Sequence, residues 1–457
     1  MKSTSVFQRY SRVTTANVYR AVLNRDGSFQ SNTIRKTPSC SIVVSKQYSS
    51  SSALPLHVFA SCLPGLEEFL NKELIDLGFQ TKRTAGGVHF RASTALELQN
   101  CHLWCGTASN IYLRATSDKP FRARGMAELK KHITRLSFWE EYISDKIHLS
   151  SASLEIRVQS SKSKLYHTGG IAQRVEEGIY SALGRDPPKK TTKRQQDGSK
   201  LKVLVKIYRD EVEVSVDTAS TPLHQRGYRL ETGKAPLRED LAFSLLYSTQ
   251  LFGKNGWSLL DPFCGSGTIP IEAAAMAYNL PPGRLRAPPM QGLTLYNPAD
   301  WKDMVAAAVQ KSVIRGTDGK VQILGTDRNE GAIAISQRNA ERAGVDHLVT
   351  FRHQAISANE WFETPSLAPP RLLVACNPPF GHRVSKTKSD PSKSLLPLIQ
   401  TLGHKVSTLK QDNDRQVAVN ILGNNANLIR RTGIPNLNVS FASKHGGMNV
   451  FALGSDT

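Results

Sequence analysis

Apolar positions along this chain follow two rhythms, and the change between them divides it. From His57 the run HVFASCLPGLEEFLNKELIDLGF starts as a short strand and turns at Pro64-Gly65. It continues as an amphipathic helix with Leu66, Phe69, Leu70 and Leu74 on one face. GGVHFRA from Gly86 reads as a strand, and ASLEIRVQ over 152–159 alternates as one. HTGGIAQRVEEGIYSALG is helical, and KVLVKIYRDEVEVSVD over 202–217 is a hairpin that turns at Arg209-Asp210. These elements predict an α+β domain over residues 55–220.

Beyond Pro236, strands and helices alternate. A helix from Glu239 is followed by the strand SLLDPF, the helix IPIEAAAMA, the strand QILGTD, the helix EGAIAISQRNAERAG and the strand RLLVACN, with further strands around Val417 and Val450. Such alternation implies a mostly parallel sheet covered on both faces, with ligands beyond the carboxyl ends of its strands. Pro281, Pro282, Pro288 and Pro289 mark an irregular insertion after its first helix. An α/β domain over 230–457 is expected.

Composition adds limits. A chain of 457 residues exceeds one ordinary core, and 39% hydrophobic against 21% charged residues suits globular domains and argues against a wholly disordered chain. No apolar run reaches the roughly 18 residues a spanning helix needs, so no membrane partner is expected. The net charge of +21 points to a polyanion, nucleic acid first. Residues 1–50 carry eight basic residues against Asp26 alone, a net +7, so +14 remains on the rest. Residues 1–52 are rich in Ser, Thr and Arg and end in four serines, which predicts a disordered, cleaved transit peptide for a mitochondrion or chloroplast. Of six cysteines only Cys101 and Cys105 stand near each other, with no second pair at zinc-site spacing, so no metal is expected.

Two loops carry candidate chemistry. Asp261-Pro262-Phe263-Cys264-Gly265-Ser266-Gly267-Thr268 lies between a strand and a helix, where glycines let backbone approach a ligand and present amides at a helix N-terminus. A tight turn would also explain them. No Lys-Ser/Thr follows, which excludes a nucleoside triphosphate loop. Asp327 ends the next strand, where it could accept ribose hydroxyls or simply cap a helix. Asn377-Pro378-Pro379-Phe380 follows RLLVAC directly, and its prolines hold the loop rigid. The Asn377 amide oxygen and the Pro378 carbonyl can both accept from one NH2 group, and Phe380 offers a face on which a base can stack. Lys189, Lys190, Lys193, Arg194 and Lys200 form a basic stretch suited to RNA phosphates or to plain solvation.

FASCLPGLEEFLNKEL, LHQRGYRLETGKAPLREDLA, DPFCGSGTIPIEAAAMA, GTDRNEGAIAISQRNAERAG, NPPF and GGMNVFAL, in this order, resemble the THUMP-domain family of RNA guanine-2-amino methyltransferases. The likeness spans His57 to Leu453 and is nearest to the N-terminal module of the bacterial large-subunit ribosomal RNA enzyme. It implies a ferredoxin-like plus THUMP RNA-binding domain, then a Rossmann-like class I methyltransferase domain ending in an antiparallel hairpin. S-adenosyl-L-methionine is then expected over Asp261, Phe263, Cys264, Gly265, Gly267 and Thr268, with ribose at Asp327 and the base amine at Asn377. Arg226-Gly227-Tyr228-Arg229 and the turn at Pro236-Leu237 are expected close to the cofactor. Relatives commonly hold the adenine amine with an Asp; here FRHQA over 351–355 leaves that contact missing or taken over by Gln354. A guanine in organellar large-subunit ribosomal RNA is the expected substrate. Transfer RNA, an adenine amine in DNA, and a non-catalytic ribosome-assembly role are the alternatives.

Overall fold

A computed structural model describes residues 55–143, 154–186, 201–219, 221–231, 236–251, 256–315, 321–380, 391–411 and 414–455. The expected transit peptide and the basic stretch Lys189, Lys190, Lys193, Arg194 and Lys200 lie outside these residues. By their contacts the described residues form two units, 55–223 with 287–304, and 224–286 with 305–455. The tail of the proline-marked insertion thus groups with the N-terminal unit.

The N-terminal unit contains strands β1 (Leu56–Ser61), β2 (Thr81–Thr84), β3 (Gly87–Ala92), β4 (Asn110–Arg114), β5 (Phe121–Arg122), β6 (Leu154–Ser161), β7 (Leu201–Tyr208) and β8 (Glu211–Asp217). They form one sheet in the order β2-β3-β1-β4-β8-β7-β6, with β5 also paired to β8. Helices α1 (Glu67–Asp76), α2 (Ala95–Trp104), α3 (Met126–Thr134), α4 (Phe138–Tyr142) and α5 (Thr168–Ala182) complete it. β7 shows why the sheet has an inner and an outer face: Leu201, Val203, Val205 and Ile207 are buried, while Lys202, Leu204, Lys206 and Tyr208 alternate toward the other side. α2 has no apolar stripe in the sequence because polar groups sit inside it. Gln99 donates to Asn297 O at 3.2 Å, and His102 lies 2.8 Å from Thr218 Oγ1, both buried.

The second unit runs α6 (Glu239–Tyr247), β9 (Ser258–Asp261), α7 (Thr268–Ala277), α8 (Pro298–Arg315), β10 (Ile323–Asp327), α9 (Glu330–Ala343), β11 (Thr350–His353), α10 (Glu360–Glu363), β12 (Arg371–Cys376), α11 (Pro391–Lys410), β13 (Gln416–Gly423), α12 (Ala426–Arg430), β14 (Asn438–His445) and β15 (Met448–Ser455), the first residues of α8 grouping with the N-terminal unit. Its sheet has the order β11-β10-β9-β12-β13-β15-β14. The first five strands are parallel, and β15 runs antiparallel to both β13 and β14. This is the expected Rossmann-like methyltransferase fold with its C-terminal hairpin. Leu260, Leu324, Val374, Val419 and Leu453 are at most 1% exposed in one core, where a leucine-to-alanine change costs about 2–5 kcal/mol. From β9 the chain winds outward to β10 and β11, then returns to β12 on the other side. The reversal opens a crevice beyond the carboxyl ends of β9 and β12, the place where such sheets bind ligands.

Candidate functional site

The loop after β9 is held by its neighbours. Gly265 and Gly267 have φ of +54° and +83°, a region that favours glycine. At Gly267 an added Cβ would also meet Ser336 Cβ at 3.0 Å and the Phe351 ring at 3.1 Å. At Gly265 an added Cβ would meet only Phe263 O, at 4.0 Å, so that side of the loop is an open cradle. Cys264 N donates to Thr326 O at 3.0 Å, Ser336 Oγ donates to Gly265 O at 2.7 Å, and Asn339 Nδ2 donates to Ser266 O at 3.0 Å. The loop is thereby tied to β10 and α9 and leads into α7, with Gly267 at the helix cap and Thr268 as the first helical residue.

Asp327 does more than end its strand. Its Oδ2 accepts from Gly265 N at 3.0 Å and its Oδ1 accepts from Asn329 N at 2.9 Å. Each carboxylate oxygen still has a free lone pair, so a pair of hydroxyls can be accepted as well. Asp261 is 1% exposed and accepts the Phe263 N–H at 3.0 Å. Burial, and then the charge of Asp327, push its carboxyl well above the usual carboxylate range. A ligand carrying positive charge would relieve both effects. Burial and then the charge of Asp261 also push the Cys264 and Cys376 thiols up, so both stay protonated at neutral pH and neither is a nucleophile. Phe263, partly buried, packs against the core beside the loop.

Two acceptors at this crevice have nothing to accept. Gln354 follows β11, and its N–H donates to Asp327 O at 3.1 Å. Its Oε1 is buried without a hydrogen-bond partner among the described residues, as is Asn377 Oδ1. A buried unsatisfied oxygen costs about 1–3 kcal/mol, so two around one crevice point to a ligand that donates to them. β12 pairs in parallel with β9, Val374 opposite Leu260, which carries the Asn377 end of β12 alongside the glycine loop. Pro378 is buried, and Phe380 half-buried. Asp261, Gly265, Gly267, Asp327, Gln354 and Asn377 stand at or just beyond the carboxyl ends of the neighbouring parallel strands β9 to β12, with Cys264 and Thr268 in the same loop and its helix start. A cationic sulfonium with an adenosyl group fits this donor set: acid at the loop, acceptors for ribose at Asp327, and an acceptor for an amine at Gln354.

The RGYR segment, expected near the cofactor, is anchored under the loop's helix. Tyr228 Oη donates to Glu272 Oε1 at 2.9 Å, and the fully buried Arg226 lies 3.6 Å from Glu272 Oε2. Arg229 pairs with Glu239 of α6 at 2.8 Å. Glu272, inside an apolar helix sequence, carried no signal of its own; only the fold brings Arg226 to it. Among the described residues there is no group of three or more His, Cys, Asp or Glu able to hold a metal, and no helix is long and apolar enough to cross a membrane.

Residues 226–417 match the family described as RMKL-like methyltransferase domain, and residues 57–112 match the RlmL ferredoxin-like domain. "Ribosomal RNA large subunit methyltransferase K/L" of Legionella pneumophila (strain Lens) is 32% identical over 360 residues, 78% of this chain and 47% of that protein. The protein of the same name from Chromohalobacter salexigens is 28% identical over 77% of this chain and 46% of its own length. The chain spans about half the length of these curated relatives. The fold matches the crystal structure of SMU.472 in complex with SAH at a TM-score of 0.72, 22% identity, over 88% of this chain and 97% of that one. It also matches a possible methylase from Clostridium difficile 630 at a TM-score of 0.70, 25% identity, over 88% and 98%. The chain therefore joins an RlmL ferredoxin-like domain to an RMKL-like methyltransferase domain.

Proposed function

We propose that this protein methylates the exocyclic 2-amino group of a guanine in large-subunit ribosomal RNA. The observation that carries the reading is Asn377 Oδ1, a buried acceptor without a partner among the described residues, on a proline-stiffened loop after the strand that pairs with β9. An NH2 group is the donor it lacks. The names of the curated relatives support ribosomal RNA as the substrate, and the motif likeness supports the guanine 2-amino group.

When bound, S-adenosylmethionine supplies an activated sulfonium methyl. What remains for the chain is placement. Asn377 Oδ1 and the Pro378 carbonyl accept the two amine hydrogens and turn the nitrogen lone pair out of conjugation. Phe380 supplies a face for the base, worth about 1–3 kcal/mol of stacking. The nitrogen gains the methyl and then sheds a proton to solvent, so no strong base is required. Orientation of this kind is worth roughly 10²-fold or more in rate.

Incubating the protein with deproteinised ribosomal RNA and labelled cofactor, then analysing nucleosides by mass spectrometry, tests the proposal. N2-methylguanosine is the expected product. Methyladenosine would transfer the site to an adenine amine, and RNA binding without product would make the protein an assembly factor. We also propose that the Arg- and Ser-rich leader directs the chain to a mitochondrion or chloroplast. A mature protein from cells that still begins at Met1 would contradict that.

A further inference from the structure

We infer that Asn339 of α9 is a positioning residue for the cofactor: its one amide ties the glycine loop to the strap of residues 228–231, so that loop and strap hold S-adenosylmethionine as a unit. The inference rests on the proposed function only for S-adenosylmethionine as the ligand, and not for the RNA base. Asn339 is fully buried. Its Nδ2 donates to Ser266 O at 3.0 Å and to Glu231 O at 3.3 Å, which uses both amide hydrogens, and its Oδ1 accepts from the Arg342 guanidinium. Two carbonyls on one side and a cation on the other leave the amide one orientation. Asparagine is a weaker helix former than alanine or leucine, so α9 carries it at a local cost that these three bonds offset.

The grip passes into the loop through its backbone. Ser336, one turn before Asn339 on α9, donates to Gly265 O at 2.7 Å, so α9 draws two successive carbonyls toward itself. In a trans peptide the N–H points opposite to the carbonyl, which turns Ser266 N–H away from α9, and among the described residues that N–H has no partner. It is left for an acceptor on the ligand. The strap is held to the same helix at three further points: Arg342 Nε donates to Tyr228 O at 2.9 Å, Arg342 pairs with Glu231 at 3.1 Å, and Arg338 Nε donates to Glu231 Oε1 at 3.0 Å. Its other end reaches α7, the helix into which the loop leads, where Tyr228 Oη donates to Glu272. Because the Asn339 side chain is bonded to strap and loop alike, a shift in either is felt by the other.

Calorimetric titration of the full chain with S-adenosylhomocysteine, which needs no RNA, tests this through a double-mutant cycle. Asn339→Leu, close in volume but without the donors, is expected to weaken binding about tenfold. Arg342→Met, at a residue that touches the strap and Asn339 but not the loop, should weaken it about threefold in the parent. In the Asn339→Leu background it should change nothing, because its effect on the loop passes through that amide. Parent-like affinity in Asn339→Leu, with only the urea midpoint lowered, would make the asparagine purely structural and overturn the inference. Equal effects of Arg342→Met in both backgrounds would overturn it too. Where Asn339→Leu does not fold, Arg342→Met decides alone: a threefold loss supports the inference and parent-like affinity overturns it. A parent that binds S-adenosylhomocysteine and methylates no RNA would overturn the proposed function and leave this inference standing, whereas a parent that binds none would overturn the cofactor reading and this inference with it.

Discussion

Asp327 and Gly265, 62 positions apart in sequence, are joined by a 3.0 Å hydrogen bond from the glycine N–H to the carboxylate, so the residue proposed to bind ribose also braces the glycine loop. Asp327→Ala should therefore lose both. Charge-assisted hydrogen bonds contribute about 1.5–3 kcal/mol each, which makes a tenfold or larger loss of S-adenosylmethionine affinity the expected result of calorimetry. RNA affinity should barely change. Unchanged cofactor binding would place the ribose elsewhere.

Gln354 makes a smaller claim. Its buried, unpartnered Oε1 is expected to accept the adenine amine. One neutral hydrogen bond is worth about 0.5–1.5 kcal/mol, so Gln354→Ala should weaken S-adenosylmethionine and S-adenosylhomocysteine alike, by about threefold to tenfold. A loss confined to one of the two ligands would show that the amide does not face the part they share.

Arg226 and Glu272 form the buried ion pair beneath the loop's helix. Removing one partner of a buried ion pair costs up to about 3–5 kcal/mol, and less where other carboxylates share the charge, as Glu239 and Asp240 do at Arg226. Glu272→Leu is expected to lower the urea midpoint by up to that equivalent, whereas Tyr228→Phe, which removes one hydrogen bond to Glu272, should cost only about 1 kcal/mol. Equal losses from the two variants would mean that the phenol rather than the charge pair holds the strap.

His224 gives the fold an acid-sensitive point. Burial, and then the charge of Arg238, lower its pKa from 6.5 to about 4, and its Nδ1 is buried without a partner among the described residues. Between those values the unfolded chain takes up a proton that the folded chain refuses. Stability is then fully present above about pH 6.5 and is lost as pH falls toward 4. Urea midpoints should decline over that window, and His224→Gln should flatten the decline. Parallel pH profiles for the parent and the variant would exclude His224 as the cause.

Much of the second unit was legible because its strands are short continuous apolar runs bounded by glycine, proline or aspartate. SLLD, ILGTD and RLLVAC became β9, β10 and β12 within a residue or two. The N-terminal unit was half legible. Its strands alternate clearly, but α2 hides its stripe behind buried Gln99 and His102, and nothing local says that 287–304 group with it. Residue types marked Asp261, Asp327 and Asn377. Phe263, expected as a ligand contact because it sits in the motif, is partly buried against the core. The bracing role of Asp327 and the pairing of Arg226 with Glu272 depend on contacts between residues more than 40 positions apart, which no local pattern records.

The central claim is that Asn377 positions an amine. Asn377→Ala should keep the melting temperature and the calorimetric affinity for S-adenosylmethionine near those of the parent, because Asn377 Oδ1 has no hydrogen-bond partner among the described residues. Single-turnover methyl transfer to ribosomal RNA should fall by roughly 10²-fold or more. A variant that retained more than about a tenth of the parent rate, with the fold and cofactor binding intact, would show that Asn-Pro-Pro-Phe is only a turn here and would contradict the account.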